Sequence, residues 1–338
     1  MSVEPAREAL SESELCPPDL LAGQEEAFAR DVARLRALAG EFVEVACPAC
    51  GSRESAPALV KWGFAYRTCD ACATLYMSPR PSPAVMASYY ASSENYAYWA
   101  EHIFPASEAA RREKVHRPWL ERVAGYCDRF AVPRGTLVEV GPGFGTFSAL
   151  AQESGVFERV VAVEPTPELA AACRSRGVRV VEKPVEEVGD DLPAPDVMVA
   201  FEVIEHLFDP AVFLAQCARL LTPGRLLVLS CPNGRGFDIA ELGAESLAID
   251  PEHVNLFTPA SLALLLERSG FEVLEASTPG RLDAEFVHDA IASGRHTASG
   301  PFLERVLVDE WERLGGPFQR FLAENGLSSH MWVVSRRA

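Results

Sequence analysis

Three glycines at alternate positions follow an apolar segment of the sequence that contains an acidic residue. The segment LVEV spans residues 137–140 and is followed by Gly141, Gly143 and Gly145, with Glu139 two residues before the first glycine. Glycines let a backbone turn tightly and approach a ligand closely, and a glycine-rich turn after a strand is typical of a nucleotide site. A simple tight turn is the alternative, and the acids described next argue against it.

The spacing and charge of this loop discriminate between nucleotide ligands. The dinucleotide fingerprint needs its third glycine one position after Gly145. Glu139 would lie near the carboxyl end of a strand, where its charge repels a pyrophosphate and attracts a cation. S-adenosylmethionine (SAM) carries a sulfonium and an α-amino group and no phosphate, so the loop favours SAM. Glu164 follows Gly141 by 23 residues and could hydrogen-bond ribose hydroxyls, which both kinds of cofactor have.

Four cysteines form a second chemical pattern nearer the N-terminus. Cys47 and Cys50, then Cys69 and Cys72, give the spacing C-x2-C-x18-C-x2-C. This spacing is typical of a four-thiolate zinc site, and four thiolates leave no open position for water, so the predicted zinc is structural. A redox pair or a chance pair of motifs is the alternative.

The elements that must position these residues change character along the chain. From Thr136, short apolar segments alternate with amphipathic ones, which predicts an α/β fold with a parallel sheet. Helices are expected at Pro167–Arg176, Pro210–Leu221 and Pro259–Ser269. Strands are expected at 137–140, 160–164, 178–182, 196–201, 225–230, 271–277 and 328–336.

The predicted organisation has four parts and one insert. The boundaries are a helical leader at 1–40, with a helix at Asp19–Leu38; a zinc ribbon at 41–82; an aromatic-rich helical linker or lid at 83–130; and a SAM-binding domain at 131–338. The insert, about 279–327, is expected to be helical around Phe302–Leu314 and Pro317–Glu324. Connections of this length are often lids or substrate walls.

The segments VEVGPGFGTF, VVAVEP and DVMVAFEVIEHLFDP resemble, in order and spacing, the motifs of class I SAM-dependent methyltransferases across about residues 110–280. The resemblance implies a Rossmann-like, seven-stranded sheet whose last strand is antiparallel. It also implies a site in which Glu139 and the glycine loop, including Phe144, hold the methionine part. The remaining implied cofactor residues are Glu164 with Pro165 at the ribose, Pro184 and Val185 at the adenine, and Phe201, Glu202 and Val203 along the sulfonium.

The zinc pattern before such a domain is similar to that of deoxysugar C-methyltransferases and related enzymes of polysaccharide and natural-product clusters. Those enzymes carry a Tyr-rich segment and an acid–histidine pair, which match residues 89–102 and 251–262 here. They usually add a C-terminal domain, whereas this chain has only the insert. The resemblance therefore implies a small biosynthetic acceptor, with carbon, oxygen and nitrogen all open as the methylated atom.

His253 is the predicted general base, because an imidazole can take a proton from a hydroxyl or an activated carbon at neutral pH. The alternative is that His253 only fixes its loop. Glu252 could orient that ring or be a solvated loop acid, and His206 could face the substrate or be structural. No carboxylate–histidine cluster suited to metal-assisted methylation is evident from the sequence.

Three aromatic residues of the linker could cover the SAM sulfonium, since aromatic faces attract cations. They are Tyr96, Tyr98 and Trp99. Packing of a helix against the core is the other interpretation. His288, His296 and His330 have no local pattern that indicates a site.

The formal net charge of -17 excludes classes of function rather than naming one. It argues against nucleic acid or an anionic membrane as the main partner. The sequence leaves the oligomeric state open. A zinc-ribbon RNA methyltransferase is the first alternative, with Arg53, Lys61 and Arg67 as the only cations between the cysteine pairs. A catalytically inactive SAM-domain scaffold is the second. The N-terminus has no apolar segment typical of secretion, and no apolar segment of the sequence is long enough to span a bilayer. A cytoplasmic location is therefore expected.

Overall fold

The computed structural model describes residues 10–189 and 191–338, so the first nine residues of the predicted leader lie outside the described residues. The strands are β1 (Ser55–Lys61), β2 (Phe64–Cys69), β3 (Leu75–Met77), β4 (Thr136–Val140), β5 (Arg159–Val163), β6 (Arg179–Val181), β7 (Val197–Phe201), β8 (Leu226–Pro232), β9 (Asn255–Leu256), β10 (Phe271–Ser277) and β11 (His330–Arg337).

The α-helices are α1 (Glu12–Leu15), α2 (Pro18–Ala37), α3 (Pro83–Ser92), α4 (Glu94–Tyr98), α5 (Phe104–Ala110), α6 (Arg117–Phe130), α7 (Thr146–Ser154), α8 (Pro167–Ser175), α9 (Pro210–Leu220), α10 (Phe237–Leu242), α11 (Pro259–Arg268), α12 (Asp283–Ala292), α13 (Pro301–Glu304) and α14 (Trp311–Glu324). π-helical turns at Trp99–Ile103, Arg111–His116 and Arg305–Asp309 join neighbouring helices, and 3-10 turns lie at Ala39–Glu41, Val185–Glu187 and Gly243–Glu245.

A seven-stranded sheet in the order β10-β11-β8-β7-β4-β5-β6 forms the centre of the molecule. The strands from β4 to β8 run parallel, whereas β11 is antiparallel to both of its neighbours. Every residue of β4, β7 and β8 is buried, which explains why these strands are mostly apolar in the sequence. The Rossmann-like sheet with an inserted antiparallel last strand is therefore confirmed.

A second, antiparallel sheet in the order β1-β2-β3-β9 carries the cysteine pairs. Its first three strands come from residues 55–77, but β9 comes from the loop that follows the central sheet's strand β8. Leu75 pairs with Leu256 and Tyr76 pairs with Asn255. The smaller sheet is thus completed by a two-residue strand that begins two residues after His253 in the chain.

The insert between β10 and β11 is helical, as predicted, but its break lies elsewhere. The sequence predicts a break before Pro317, whereas α14 continues through Pro317 and the chain breaks at Glu310 instead. A proline within a helix costs about 3 kcal/mol. Trp311 and Phe318, on either side of the proline, pack against the same small core as the buried Leu322. Burial on both sides offsets the cost.

Among the described residues, no helix combines the length and the apolar character that crossing a membrane requires.

Candidate functional site

The four cysteines gather at one end of the smaller sheet. Cys47 Sγ lies 3.5 Å from Cys72 Sγ, and Cys50 Sγ lies 3.5 Å from Cys69 Sγ. All four sulfurs lie within 4.8 Å of one another, and none forms a disulfide. A disulfide needs about 2.05 Å between sulfurs, whereas a tetrahedral zinc with bonds of about 2.3 Å separates them by about 3.8 Å. The geometry fits a four-thiolate metal site.

The two cysteine turns have the same backbone. The carbonyl of Cys47 accepts from Gly51 N–H at 2.9 Å, and the carbonyl of Cys69 accepts from Ala73 N–H at 2.9 Å. Gly51 has φ +78° and Ala73 has φ +59°, so both occupy the left-handed region. Alanine there costs about 1–2 kcal/mol. Two matched turns hold the sulfurs together without relying on the chain between them.

All three glycines of the loop after β4 have positive φ, and at two of them a neighbouring side chain also leaves no room for a Cβ. A Cβ on Gly141 would lie 2.7 Å from Val203 Cγ2, and one on Gly145 would lie 2.7 Å from Cys173 Sγ. A Cβ on Gly143 would meet nothing within 4 Å. The outer two glycines therefore allow close packing. The middle one faces open space, where a ligand can approach the protein backbone.

Glu139 lies beneath this loop and is almost fully buried, with 3% of its surface exposed. The Ser148 hydroxyl at the start of α7 donates a hydrogen bond to its carboxyl group. Burial raises the pKa of Glu139 to about 7, and the charge of Glu164 adds to the rise while Ser148 opposes it. The site thus holds a carboxyl group that becomes more stable as an anion when a cation arrives.

Glu164 follows the neighbouring strand β5 and is also buried, at 4% exposure. Its Oε1 accepts from the backbone N–H of Thr166 at 2.8 Å, and burial raises its pKa. Of the other residues predicted to border a nucleoside, Pro165 and Pro184 are exposed and Val185 is buried. Their cofactor roles stay predictions.

The carboxyl end of β7 brings Phe201 and Glu202 to the same edge of the sheet. Phe201 is packed by Trp119, Phe147 and Trp332, with ring centroids 4.8–5.0 Å away. It therefore forms part of the wall rather than of an open surface. Glu202 has φ +54°, a backbone conformation that residues other than glycine rarely adopt and that is common at functional sites.

Glu202 forms an ion pair that the sequence did not reveal. Its Oε1 accepts from Ser230 Oγ at 2.6 Å and lies 2.9 Å from His330 Nε2. Burial alone would raise the pKa of Glu202, but His330 and Ser230 outweigh it and lower the pKa to about 2. The Glu202 side chain keeps 39% of its surface accessible, so this pair is partly open to solvent.

Glu205, His206 and His253 converge just beyond Glu202. One ligand atom from each lies within 4.8 Å of the others, and the two imidazole centroids are 4.8 Å apart. Burial raises the pKa of Glu205 well above its usual range, with the charge of Glu202 adding to it. Burial and His253 together lower the pKa of His206 to about 3. The expectation that no carboxylate–histidine cluster lies in this region is therefore wrong.

Asn255 holds the two halves of this cluster together. Its Nδ2 donates to the carbonyls of Ile204 at 3.1 Å and Leu207 at 2.7 Å, and its Oδ1 accepts from Arg80 at 2.9 Å. Asn255 and Arg80 are both fully buried. The asparagine fixes the turn that bears Glu205 and His206 against the loop that bears His253.

The tyrosine-rich segment meets the acid of the acid–histidine pair. Glu252 accepts hydrogen bonds from Tyr89 at 2.8 Å and Tyr96 at 3.0 Å, and burial raises its pKa to about 8. Tyr98 instead packs against Gly23 of α2 and the ring of His102, and the Trp99 ring lies under Arg111. Only Tyr96 of the three predicted lid residues is thus placed at Glu252 by these contacts.

The helical linker also covers the glycine loop, because Phe104 of α5 stacks on Phe144 with ring centroids 4.1 Å apart. Sequence reasoning missed His330, Asn255, Arg80 and the central position of Glu205. A signal for His330 was present: it begins the predicted antiparallel last strand, and that end of the strand lies at the ligand-binding edge of the parallel sheet.

Comparison with known proteins places this site in a family. A methyltransferase-domain family matches residues 109–276. A Mycolicibacterium smegmatis protein named "Probable S-adenosylmethionine-dependent methyltransferase" is 30% identical over 59% of this chain and 76% of its own length. A Mycobacterium tuberculosis protein with the same description is 34% identical over 46% of this chain and 57% of its own length. A ubiquinone biosynthesis O-methyltransferase of Xylella fastidiosa is 30% identical over 44% of this chain and 65% of its own length. The matches to these last two proteins therefore span less than two thirds of their lengths.

Proposed function

Because the chain belongs to the class I SAM-dependent methyltransferases, we propose that it methylates a small-molecule biosynthetic intermediate and that His253 activates the acceptor. A sugar, a nucleotide-sugar and a natural-product precursor are the acceptor classes considered. The observation that carries the proposal is the orientation of the His253 ring. Its Nδ1 is engaged by the Ala248 carbonyl at 3.0 Å, so Nε2 is the atom left to serve the reaction.

The donor side of the proposal rests on the loop after β4. SAM supplies a methyl group already activated by its sulfonium. Glu139 is suited to the cationic methionine part, Gly143 leaves room for it, and Glu164 is suited to ribose hydroxyls. Val203 touches the position of Gly141 and belongs to the same turn as Glu205. The turn that bears Glu205 and His206 therefore lies beside the donor loop.

A structural zinc in the four-cysteine cluster is part of the proposal. The matched turns and the sulfur spacing support it, and four thiolates complete a tetrahedron, so the zinc has no open position for an acceptor. Its role would be to hold the small sheet that includes β9.

A small acceptor is preferred to RNA because the cysteine module has few available cations. Lys61 Nζ donates to the Ser246 carbonyl at 2.9 Å, and burial lowers its pKa to about 8. Arg67 donates to the hydroxyl and carbonyl of Ser55. With a net charge of -17, this surface is poorly suited to a phosphate backbone. Salt-dependent binding of ribosomal RNA fragments would support the RNA alternative, and no binding at low salt would exclude it.

The test of the function uses SAM labelled in its methyl group and a protein-free small-molecule extract of the source cells. Wild-type protein should bind SAM and label a small product. His253→Ala should keep SAM binding and lose about 10²-fold or more in turnover, whereas His296→Ala, on the insert, should retain activity. SAM binding without turnover on any extract would favour a scaffold, and near-wild-type turnover by His253→Ala would remove this histidine from the reaction.

A further inference from the structure

Glu205, His206 and His253 form a cluster beside the donor loop whose chemistry goes beyond a single base. We propose that these three residues bind a divalent transition-metal cation and that the cation binds an oxygen atom of the methyl acceptor. The inference rests on the methyl transfer proposed above. It narrows the acceptor from carbon, oxygen or nitrogen to an oxygen nucleophile.

The first observation is a fully buried carboxyl group that no cation among the described residues neutralises. Glu205 has 0% exposure, and neither of its carboxyl oxygens accepts a hydrogen bond from a described donor. A second acid, Glu202, lies beside it. An ionised carboxylate is unfavourable in a protein interior without a cation. A cation between these groups would pair with Glu205 and remove the repulsion between the two acids.

The two histidines are prepared as neutral ligands. A metal-binding histidine usually donates its second N–H to a carbonyl or carboxylate, which fixes the ring and leaves the other nitrogen free. His253 does this with Nδ1 on the Ala248 carbonyl at 3.0 Å. The Nδ1 atom of His206 is buried and has no hydrogen-bond partner among the described residues. Each ring therefore has a nitrogen lone pair to offer.

The distances are compatible with one ion. Nitrogen and oxygen ligands at about 2.1 Å from a metal stand about 3–4.2 Å apart. The three ligand atoms already lie within 4.8 Å of one another, so small side-chain rotations would close the site. Asn255 holds the two segments that contribute them, which limits how far they can separate.

The donor set selects a class of metal. Two imidazoles and one carboxylate suit Mn²⁺, Fe²⁺, Co²⁺ or Zn²⁺, whereas Mg²⁺ and Ca²⁺ prefer oxygen ligands alone. Three protein ligands leave positions open for an acceptor oxygen, in contrast to the four-cysteine cluster. The chain would thus hold two metals with different duties.

The reaction balances without any redox partner. A metal-bound hydroxyl group of the acceptor loses its proton to water in the cleft, and its oxygen lone pair attacks the methyl carbon. The carbon–sulfur bond breaks, and its electron pair stays on sulfur to give a neutral thioether. Because a metal on Nε2 occupies the lone pair that a general base needs, His253 would then activate the acceptor through the bound cation and not by taking the proton itself.

Metal binding is tested on the full-length protein with zinc kept in the cysteine cluster. Mn²⁺ is titrated and followed by electron paramagnetic resonance, and Co²⁺ is followed by its visible spectrum, which separates nitrogen and oxygen ligands from thiolates. Wild type should bind one such ion per chain in addition to zinc. Glu205→Gln and His206→Ala should weaken that binding by about 100-fold or more while SAM affinity stays within about threefold.

A matched control separates the metal from the donor site. Glu139→Gln removes another buried acid of the same cleft and should weaken SAM binding while Mn²⁺ binding is unchanged. If wild type binds SAM but no second metal, the metal proposal is overturned, Glu205 must instead be protonated towards Glu202, and the proposed methyl transfer stands. If wild type binds no SAM, the proposed function itself fails. If a ligand variant is unfolded, its partner variant and the cobalt spectrum of wild type decide the question.

Discussion

Glu139 is a buried carboxyl group whose pKa, about 7, falls in the range where most methyltransferase assays would be run. Its ordinary pKa is near 4.5, so burial makes the folded, ligand-free protein hold a proton there up to neutral pH. Binding a cationic methionine group favours the anion. SAM binding should therefore release a proton, and SAM affinity should depend on pH through this one residue.

We expect SAM to bind about 10-fold more tightly at pH 8 than at pH 6, because the ionised fraction of a group with pKa 7 rises by about that factor. The sign follows from the raised pKa: below it the proton must be displaced, and above it the carboxylate is already charged. Isothermal titration at several pH values measures the affinity, and buffers of different ionisation enthalpy report the released proton.

Glu139→Gln is the control for this dependence, since it keeps the shape of the side chain and cannot ionise. Any titration of SAM itself affects the SAM affinity of both proteins equally. Only the difference between their pH dependences is therefore due to Glu139. Equal pH slopes in both would contradict the assignment.

At the residue level, the sequence indicated groups whose chemistry is local in the chain. Glu139 and the glycines lie within seven residues, and the cysteine spacing is short enough to recognise. The convergence of His206 with His253, or of Glu202 with His330, joins residues far apart in sequence. Residue types alone do not reveal such contacts, because the sheet order decides which strand ends become neighbours.

At the scale of elements, the loop between β4 and α7 makes two glycine substitutions distinguishable. Gly145→Ala should destabilise the protein by about 3 kcal/mol, because its Cβ would meet Cys173 Sγ at 2.7 Å and φ is +77°. Gly143→Ala should cost only about 1 kcal/mol, for its positive φ, yet should weaken SAM binding by 10-fold or more. Urea unfolding and SAM titration measure the two effects. Normal SAM binding by folded Gly143→Ala would show that the ligand lies elsewhere.

The asparagine of β9 connects two elements by side-chain hydrogen bonds. Asn255→Ala should lower the free energy of unfolding by about 3 kcal/mol, because it removes the hydrogen bonds to the Ile204 and Leu207 carbonyls and one of the hydrogen bonds of the buried Arg80. Turnover should fall more than SAM affinity, because the turn bearing Glu205 moves relative to His253. Asn325→Ala is the matched control: Asn325 is exposed and, within the described part of the chain, its side chain donates only to the carbonyl of Phe321, so its effect should stay within about 0.5 kcal/mol. Equal effects of the two substitutions would remove Asn255 from this role.

Elements with a strong periodic pattern were predicted closely, and those decided by tertiary packing were not. The sequence placed β10 at 271–277, where the structure has it, and placed the helix at Asp19–Leu38 within a residue of α2. The sequence predicts a break before Pro317, because proline is disfavoured inside a helix. The small core around Leu322 overrides this local disadvantage and the helix continues through Pro317. A strand of two residues such as β9 has no periodicity from which it could be predicted.

At the scale of the whole molecule, the cysteine cluster should affect catalysis without touching SAM. Cys72→Ser should lose the zinc and lower Tm by about 5 °C or more, because a structural zinc contributes directly to folding. Turnover should fall about 10-fold, since β9 belongs to the same small sheet, while SAM affinity should change less than about threefold. Metal analysis, calorimetry and SAM titration measure these quantities. Cys16→Ser, outside the cluster, should change none of them.

The sequence predicted both sheets but not their connection. A central α/β sheet follows from alternating apolar and amphipathic segments, and a ribbon follows from the cysteine spacing. That the ribbon's fourth strand is supplied from beyond β8 depends on how the two surfaces pack, with Met77 N–H bonded to the Val254 carbonyl at 3.0 Å. No local pattern in either segment encodes that pairing.

The borrowed strand β9 also limits how this protein can be recombined with its relatives. A chimera that exchanges residues 41–82 as a self-contained cassette would leave Leu75 and Tyr76 facing a foreign strand. Grafting the ribbon therefore requires that residues 250–257 be transferred with it, and this segment includes His253. Exchanging the cysteine module between such enzymes would thus exchange part of the proposed acceptor site, so a transplanted ribbon should bring some of its parent's substrate preference with it.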